Sequence, residues 1–464
     1  MTTALLWVSV AYALLFLAIL VFELGRSRHH GPDIVSLFMV VSLLQVCVPG
    51  LIMFGTLPFV DPAEPTGNPF FDKVFQDVTL DAALLVLGLT AWFYACFYVG
   101  IALTRLGRGR AVSAAARRYT FEPRYKWLVV VLLLGLLLTV LAFWSLGDSI
   151  LTRYATLILF RDQVEDVERN AFTANAFALL QTWSWLSVVT IFTVYQRRGA
   201  GRLFTLCILI AVSFAVLSVS RRALFIPLLM SYLAVVLHTR KWHFRWLLGG
   251  AAPLVLWLAF GKNILGAVAY GGSVESVVGS YASWASAMLR AASEAGITVV
   301  ESLGTVLYLD IGPRFGVDHM MALIKLLPEG ALGLDFNFPE RIVRISTEAF
   351  SGPYALDIPP GFLGQMWLDF GLLGPLVWGL LMGLQVALLQ LLYERTTPSW
   401  ASAALMALLL FLIAYPVNTG SLDFSFSSDI VVMLVVLFLV VRTTRSPAAE
   451  APDAPLGASA VTST

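Results

Sequence analysis

His319 stands beside Asp318, and Arg314 lies four residues before Asp318. An imidazole is the side chain whose ordinary titration range suits proton transfer near neutrality. A guanidinium four residues from a carboxylate on a helix can pair with it across one turn. From the residues alone, a hydrogen-bonding histidine of purely structural use fits equally well. Further arginines fall in patterns that suit phosphates. Arg221 and Arg222 are adjacent, Arg341 and Arg344 are three apart and share a helix face, and Arg290 stands alone. Guanidinium forks hold phosphates through two parallel bonds and do not lose their charge. The ordinary alternative for each arginine is pairing with an acid. Glu294, Glu301, Asp310, Glu340 and Glu348 are further acid/base candidates that spacing does not single out.

Other chemistries lack their signals. There is no His/Cys cluster with metal-ligand spacing, no Walker loop, no GxGxxG and no Gly-x-Ser-x-Gly elbow. Asp166-Val167-Glu168 is a loose D-x-E inside an acidic run. Neither a metal nor a cofactor is expected. Cys47, Cys96 and Cys207 each lie in an apolar run and do not form a disulfide framework.

These residues must be positioned by membrane helices. Of 464 residues 59% are hydrophobic and 13% charged, and the mean hydropathy is +0.83. A soluble protein averages about 25% charged residues, so this chain could not cover a water-facing surface. With 30 Lys and Arg against 29 Asp and Glu, no basic excess exists to bind nucleic acid. A crossing helix needs about 20 apolar residues. That ruler places eleven spans at 4–22, 34–55, 79–103, 127–146, 173–195, 203–219, 223–238, 246–261, 361–392, 400–417 and 430–441. The fold class is an all-α polytopic integral membrane protein of about eleven helices (ten to twelve) with a large, partly helical outer segment. Met1 to Val21 lacks a basic start and a cleavage site, so it is expected as a retained first span.

Charge sets the orientation. With the N-terminus outside and the C-terminus cytoplasmic, the inside segments hold 18 Lys and Arg, and the short outside segments hold six. Positive residues collect on the cytoplasmic side. Segment 262–360 then lies outside. Within it, helices are expected over Val274–Ala292 on the membrane surface, over the apolar stretch Ile297–Leu309 interrupted by Glu301, over Phe315–Leu327, and over Pro339–Phe350. Thus 1–261 carries the first eight helices, 262–360 the outer segment, 361–442 the last helices, and 443–464 a disordered tail. Span interiors carry almost no charge. Asp369 is the exception, near the outer end of its span.

Three stretches resemble one family. Ser218-Val219-Ser220-Arg221-Arg222-Ala223-Leu224 is similar to the Ser/Arg turn between two spans of Wzy-type O-antigen and oligosaccharide repeat-unit polymerases. Tyr308 to Pro328, with Pro313-Arg314-Phe315-Gly316 and Leu326-Leu327-Pro328, resembles their outer-loop pattern. So does the re-entry from Pro360 through Gly374, where Gln365 stands at a position often held by an acid. The resemblance implies a metal-independent glycosyltransferase of the bacterial inner membrane. It would polymerise undecaprenyl-pyrophosphate-linked oligosaccharide repeat units into surface polysaccharide on the periplasmic side. His319, Asp318 and Arg314 would serve catalysis, and Arg221, Arg222, Arg290, Arg341 and Arg344 would hold the pyrophosphate. The expected partners are lipid-linked oligosaccharides, membrane lipids, a chain-length regulator and the flippase of the same pathway. O-antigen ligases, peptidoglycan-polymerase-like transferases and, outside the enzymes, a flippase of lipid-linked sugars are the alternatives.

Overall fold

The computed structural model describes residues 2–61, 69–106, 119–145, 171–197, 200–217, 221–246, 249, 284–324, 342–351, 358–419 and 428–445. The protein is a bundle of α-helices. Among the described residues, five helices are long and apolar enough to cross a membrane, and several shorter apolar helices stand beside them. In chain order these are α1 (Thr2–His30), α2 (Ile34–Thr56), the short α3 (Pro69–Asp77), α4 (Leu80–Leu106), α5 (Tyr125–Ser145), α6 (Ala171–Tyr195), α7 (Gly201–Leu217) and α8 (Arg221–Thr239). After these come α9 (Trp284–Ala295), α10 (Ile297–Tyr308), α11 (Val317–Ile324), α12 (Ile342–Ser351), α13 (Phe362–Phe370), α14 (Gly374–Glu394), α15 (Trp400–Thr419) and α16 (Ser428–Val440). Helices occupy ten of the eleven expected spans. Most of the remaining one, 246–261, lies outside the described residues.

The connections assigned to the inside by charge meet at one end of the bundle. Trp242 donates to Ser27 Oγ at 3.2 Å, and the Ile34 amide donates to Gln390 Oε1 at 2.9 Å. Strand β1 (Tyr119–Pro123) pairs antiparallel with β2 (Val441–Arg445), while the Tyr119 amide donates to the Arg395 carbonyl at 2.7 Å. At this end Arg26 binds Asp33 and Glu23, and Glu23 also accepts from Tyr98 and Ser36, tying α1, α2 and α4 together. Asp33 caps α2 by accepting from the Ser36 amide at 2.8 Å. Burial works to raise the pKa of Asp33, but its bonds to Arg26 and Ser36 and the Arg26 charge outweigh it and hold the carboxyl below its ordinary range.

Two expectations change. Span 361–392 is not one crossing helix: its apolar run is divided into α13, a 3-10 turn over Gly371–Leu373, and α14. Gly371 takes φ +59, and the chain folds back on itself, so that a Cβ on Gly374 would lie 1.9 Å from the Met366 carbonyl. Hydropathy counts only apolar residues, and a turn built from Gly and Leu is as apolar as a helix. The outer segment also differs. The described part of the expected surface helix, α9, is docked on α2 with Ser286, Leu289 and Ser293 buried. Glu301 does not interrupt α10; the helix runs through it, and Glu301 is buried.

Helices α14 and α4 cross in close contact. A Cβ on Gly383 would sit 2.2 Å from the Phe97 carbonyl, and only glycine lets the backbones meet there.

Candidate active site

Helix α13 has nine residues and needs its ends satisfied from elsewhere. At its start, hydroxyls of α10 at positions 298, 302 and 305 form one stripe. Thr298 Oγ1 accepts from the Phe362 amide at 2.7 Å, Ser302 Oγ accepts from the Gly364 amide at 3.0 Å, and Thr305 Oγ1 donates to the Pro360 carbonyl at 2.6 Å. At its other end the amides of Arg314 and Phe315 donate to the carbonyls of Leu368 and Asp369, at 2.9 Å and 3.0 Å. Both ends of α13 are therefore closed by segment 297–316. Backbone polar groups in a membrane protein are tolerated off a regular span only when satisfied this way.

The loop that closes the second end carries two positive φ values in succession, Phe315 at +50 and Gly316 at +73. Gly316 adopts this freely, but for the bulky Phe315 it is a strained position. The strain brings the Gly316 amide onto Asp369 Oδ1 at 3.2 Å and starts α11, which carries Asp318 and His319.

His319 Nε2 lies 3.1 Å from Asp369 Oδ2, and the Trp378 indole N–H donates to the same oxygen at 3.2 Å. As a carboxylate this oxygen only accepts; Nε2 then carries the hydrogen, and a neutral ring has its lone pair on Nδ1. The Gln365 amide lies 3.5 Å from Nε2, at the limit of a hydrogen bond. Asp369 is fully buried and His319 is 8% exposed, so the pair lies beneath the surface. Beside it Arg314 grips Asp318 with two bonds, Nε to Oδ2 at 2.5 Å and Nη2 to Oδ1 at 2.8 Å. Asp318 Oδ1 also accepts from the Ile342 amide, the first residue of α12, at 3.1 Å. The arrangement can pass a proton between imidazole and carboxylate, and it holds a guanidinium on Asp318, the chain neighbour of His319.

The structure thus brings Arg314, Asp318 and His319 together, but His319 takes Asp369 rather than its chain neighbour as its partner. Arg344 lies on α12, the helix tied to Asp318, and Arg341 lies just outside the described residues. Arg290 is on α9, half-buried. Arg221 and Arg222 are the first residues of α8, and the rest of the expected turn, 218–220, lies outside the described residues. Among the described residues no group of three or more His, Cys, Asp or Glu is placed to hold a metal; Asp166 and Glu168 lie outside them. Asp369, Gln365 and Trp378 were not candidates from sequence. Asp369 did carry a signal, as a charge in the interior of an expected span. Trp378, one of 13 tryptophans, carried none.

Exposed apolar side chains rim the pair. Phe315 is 69% exposed, Met320 62%, Leu372 66% and Leu373 62%. Phe315 meets Phe370 edge to face at 6.2 Å. The rim belongs to the end of the bundle away from the basic connections, since α14 runs from this rim to Glu394 and Arg395. Comparison with protein-family models, with characterised proteins and with solved structures gives no match to this chain.

Proposed function

We propose that the protein is a membrane glycosyltransferase that polymerises undecaprenyl-pyrophosphate-linked oligosaccharide repeat units into surface polysaccharide. It would work at the periplasmic face of the bacterial inner membrane, with eleven spans, the N-terminus outside and the C-terminus cytoplasmic. One observation carries the reading: a buried imidazole–carboxylate pair and an adjacent guanidinium sit behind a rim of exposed apolar side chains, opposite the basic end. An amphiphile with an anionic head matches that combination, because its chain can stay in lipid while its head reaches the polar groups.

In this reading the acceptor hydroxyl loses its proton to His319, and its oxygen bonds to the anomeric carbon of the donor sugar. The bond from that carbon to the pyrophosphate oxygen breaks, and the lipid pyrophosphate leaves with the electron pair. Fixed positive charge offsets the charge that develops on it. Arg314 is one such group, and a phosphate would share or take it from Asp318. Arg221, Arg222, Arg290, Arg341 and Arg344 remain proposed contacts to the pyrophosphate. Because the pair is covered, the 314–316 loop must lift for a hydroxyl to reach His319.

Gene disruption tests the function directly. Surface glycan from the mutant, run on a gel, should show single repeats with the long-chain ladder gone. An unchanged ladder sinks the proposal. Intact chains that never reach their final acceptor assign a ligase instead.

A further inference from the structure

Three N–H groups converge on the Asp369 carboxylate. The Gly316 amide takes Oδ1, while His319 Nε2 and Trp378 Nε1 share Oδ2. Trp378 also sets its ring against the imidazole, with centroids 4.4 Å apart and planes at 72°. It thus touches both members of the pair. Nine residues separate Trp378 from Asp369, which in a continuous helix would put them about 13 Å apart at 1.5 Å per residue. The fold-back at Gly371 and the packing of Gly374 on Met366 remove that distance.

We propose that Trp378 is a positioning residue: its indole N–H fixes the Asp369 carboxylate, so that Asp369 holds His319 as the Nε2–H form with the lone pair on Nδ1. The inference rests on the reading of His319 as the proton acceptor. Two contacts give Trp378 its leverage. The hydrogen bond fixes which carboxylate oxygen faces the imidazole, and the ring contact limits how the imidazole turns. A phenylalanine here keeps most of the ring contact and loses the N–H, so W378F separates the two.

The experiment reads the imidazole itself. Full-length protein with ¹⁵N-labelled histidine is purified in detergent, and the His319 ring signals are assigned by their loss in H319Q. The neutral wild-type ring should show one tautomer, Nε2–H. In W378F the signals should move to a mixture of tautomers, and long-chain glycan should fall about tenfold to a hundredfold, the scale of a misplaced catalytic group. A single Nε2–H tautomer retained in W378F overturns the proposal. Should W378F fail to accumulate, the indole N–H of Trp378 is followed in wild-type protein; slow exchange with deuterium supports its bond to Asp369, and fast exchange overturns it. The tautomer and exchange readouts need no turnover. A locked imidazole in a protein whose H319A variant still makes long glycan would refute the catalytic reading and leave the positioning intact.

Discussion

Gly374 packs directly against the carbonyl of Met366, eight residues before it in the chain. This contact holds α14 back against α13 and returns Trp378 to the level of Asp369. A methyl group added at Gly374 would fall 1.9 Å from that oxygen, so backbone has to move. Overpacking of this kind costs typically about 1–3 kcal/mol. We therefore expect G374A to melt several degrees below wild type in detergent and to lose long-chain glycan. A variant with wild-type melting and an intact ladder would show that the fold-back is not needed.

H319A should cut turnover by roughly 10²–10⁴-fold. D369N should be comparable, because one amide oxygen cannot serve the Gly316 amide on one side and both His319 and Trp378 on the other. Groups that act as a unit do not add. The double variant should be no slower than the worse single one. Multiplying losses in single-turnover assays would mean that the two side chains act separately.

Arg314 and Asp318 are both largely buried, with side chains 13% and 2% exposed. Removing one partner of a buried pair leaves the other charge stranded, at a cost of about 3–5 kcal/mol. D318A should accordingly unfold at markedly lower temperature. R314K keeps the charge and loses the fork, so it should accumulate normally and make little long glycan. The same contrast is expected at Arg221 and Arg222. Full activity of all the lysine variants would mean that charge alone matters there.

Asp33 gives a pH dependence at the basic end. Its folded carboxyl titrates below the ordinary range. It therefore adds stability that is complete above the unfolded value of about 3.9 and is lost as pH falls through the lower folded value. The gap in melting temperature between wild type and D33N should stay constant from about pH 7 to pH 5 and close at more acid pH. A gap that stays constant down to pH 2 would contradict this.

Sidedness can be read with thiols, because Cys47, Cys96 and Cys207 are buried and leave little background. E329C should react with an impermeant reagent in intact spheroplasts, and R240C only after lysis. The reverse pattern would invert the whole topology.

Most helices were legible because an apolar run of span length leaves few alternatives in a bilayer. The basic connections were legible because charge placement follows the membrane. The pairing inside the site was not. Asp318 is next to His319 in sequence, but the helix turns it toward Arg314 and Ile342, and Asp369 arrives from 50 residues away. The break at Gly371 was also hidden, since a Gly-Leu-Leu-Gly turn has the hydropathy of a span. What reveals it is a contact, Gly374 with Met366, and composition carries no record of contacts.

The closure of α13 at both ends bears on how the chain is made. Nine helical residues span about 13 Å, less than half of a hydrocarbon core of about 30 Å, so insertion as an independent segment has nothing to complete. The hydroxyls at the start of α13 and the Arg314 and Phe315 amides at its end lie earlier in the chain, between Thr298 and Phe315. The ribosome therefore delivers the receptacle before the piece it receives, and α14 then arrives as the plug behind it.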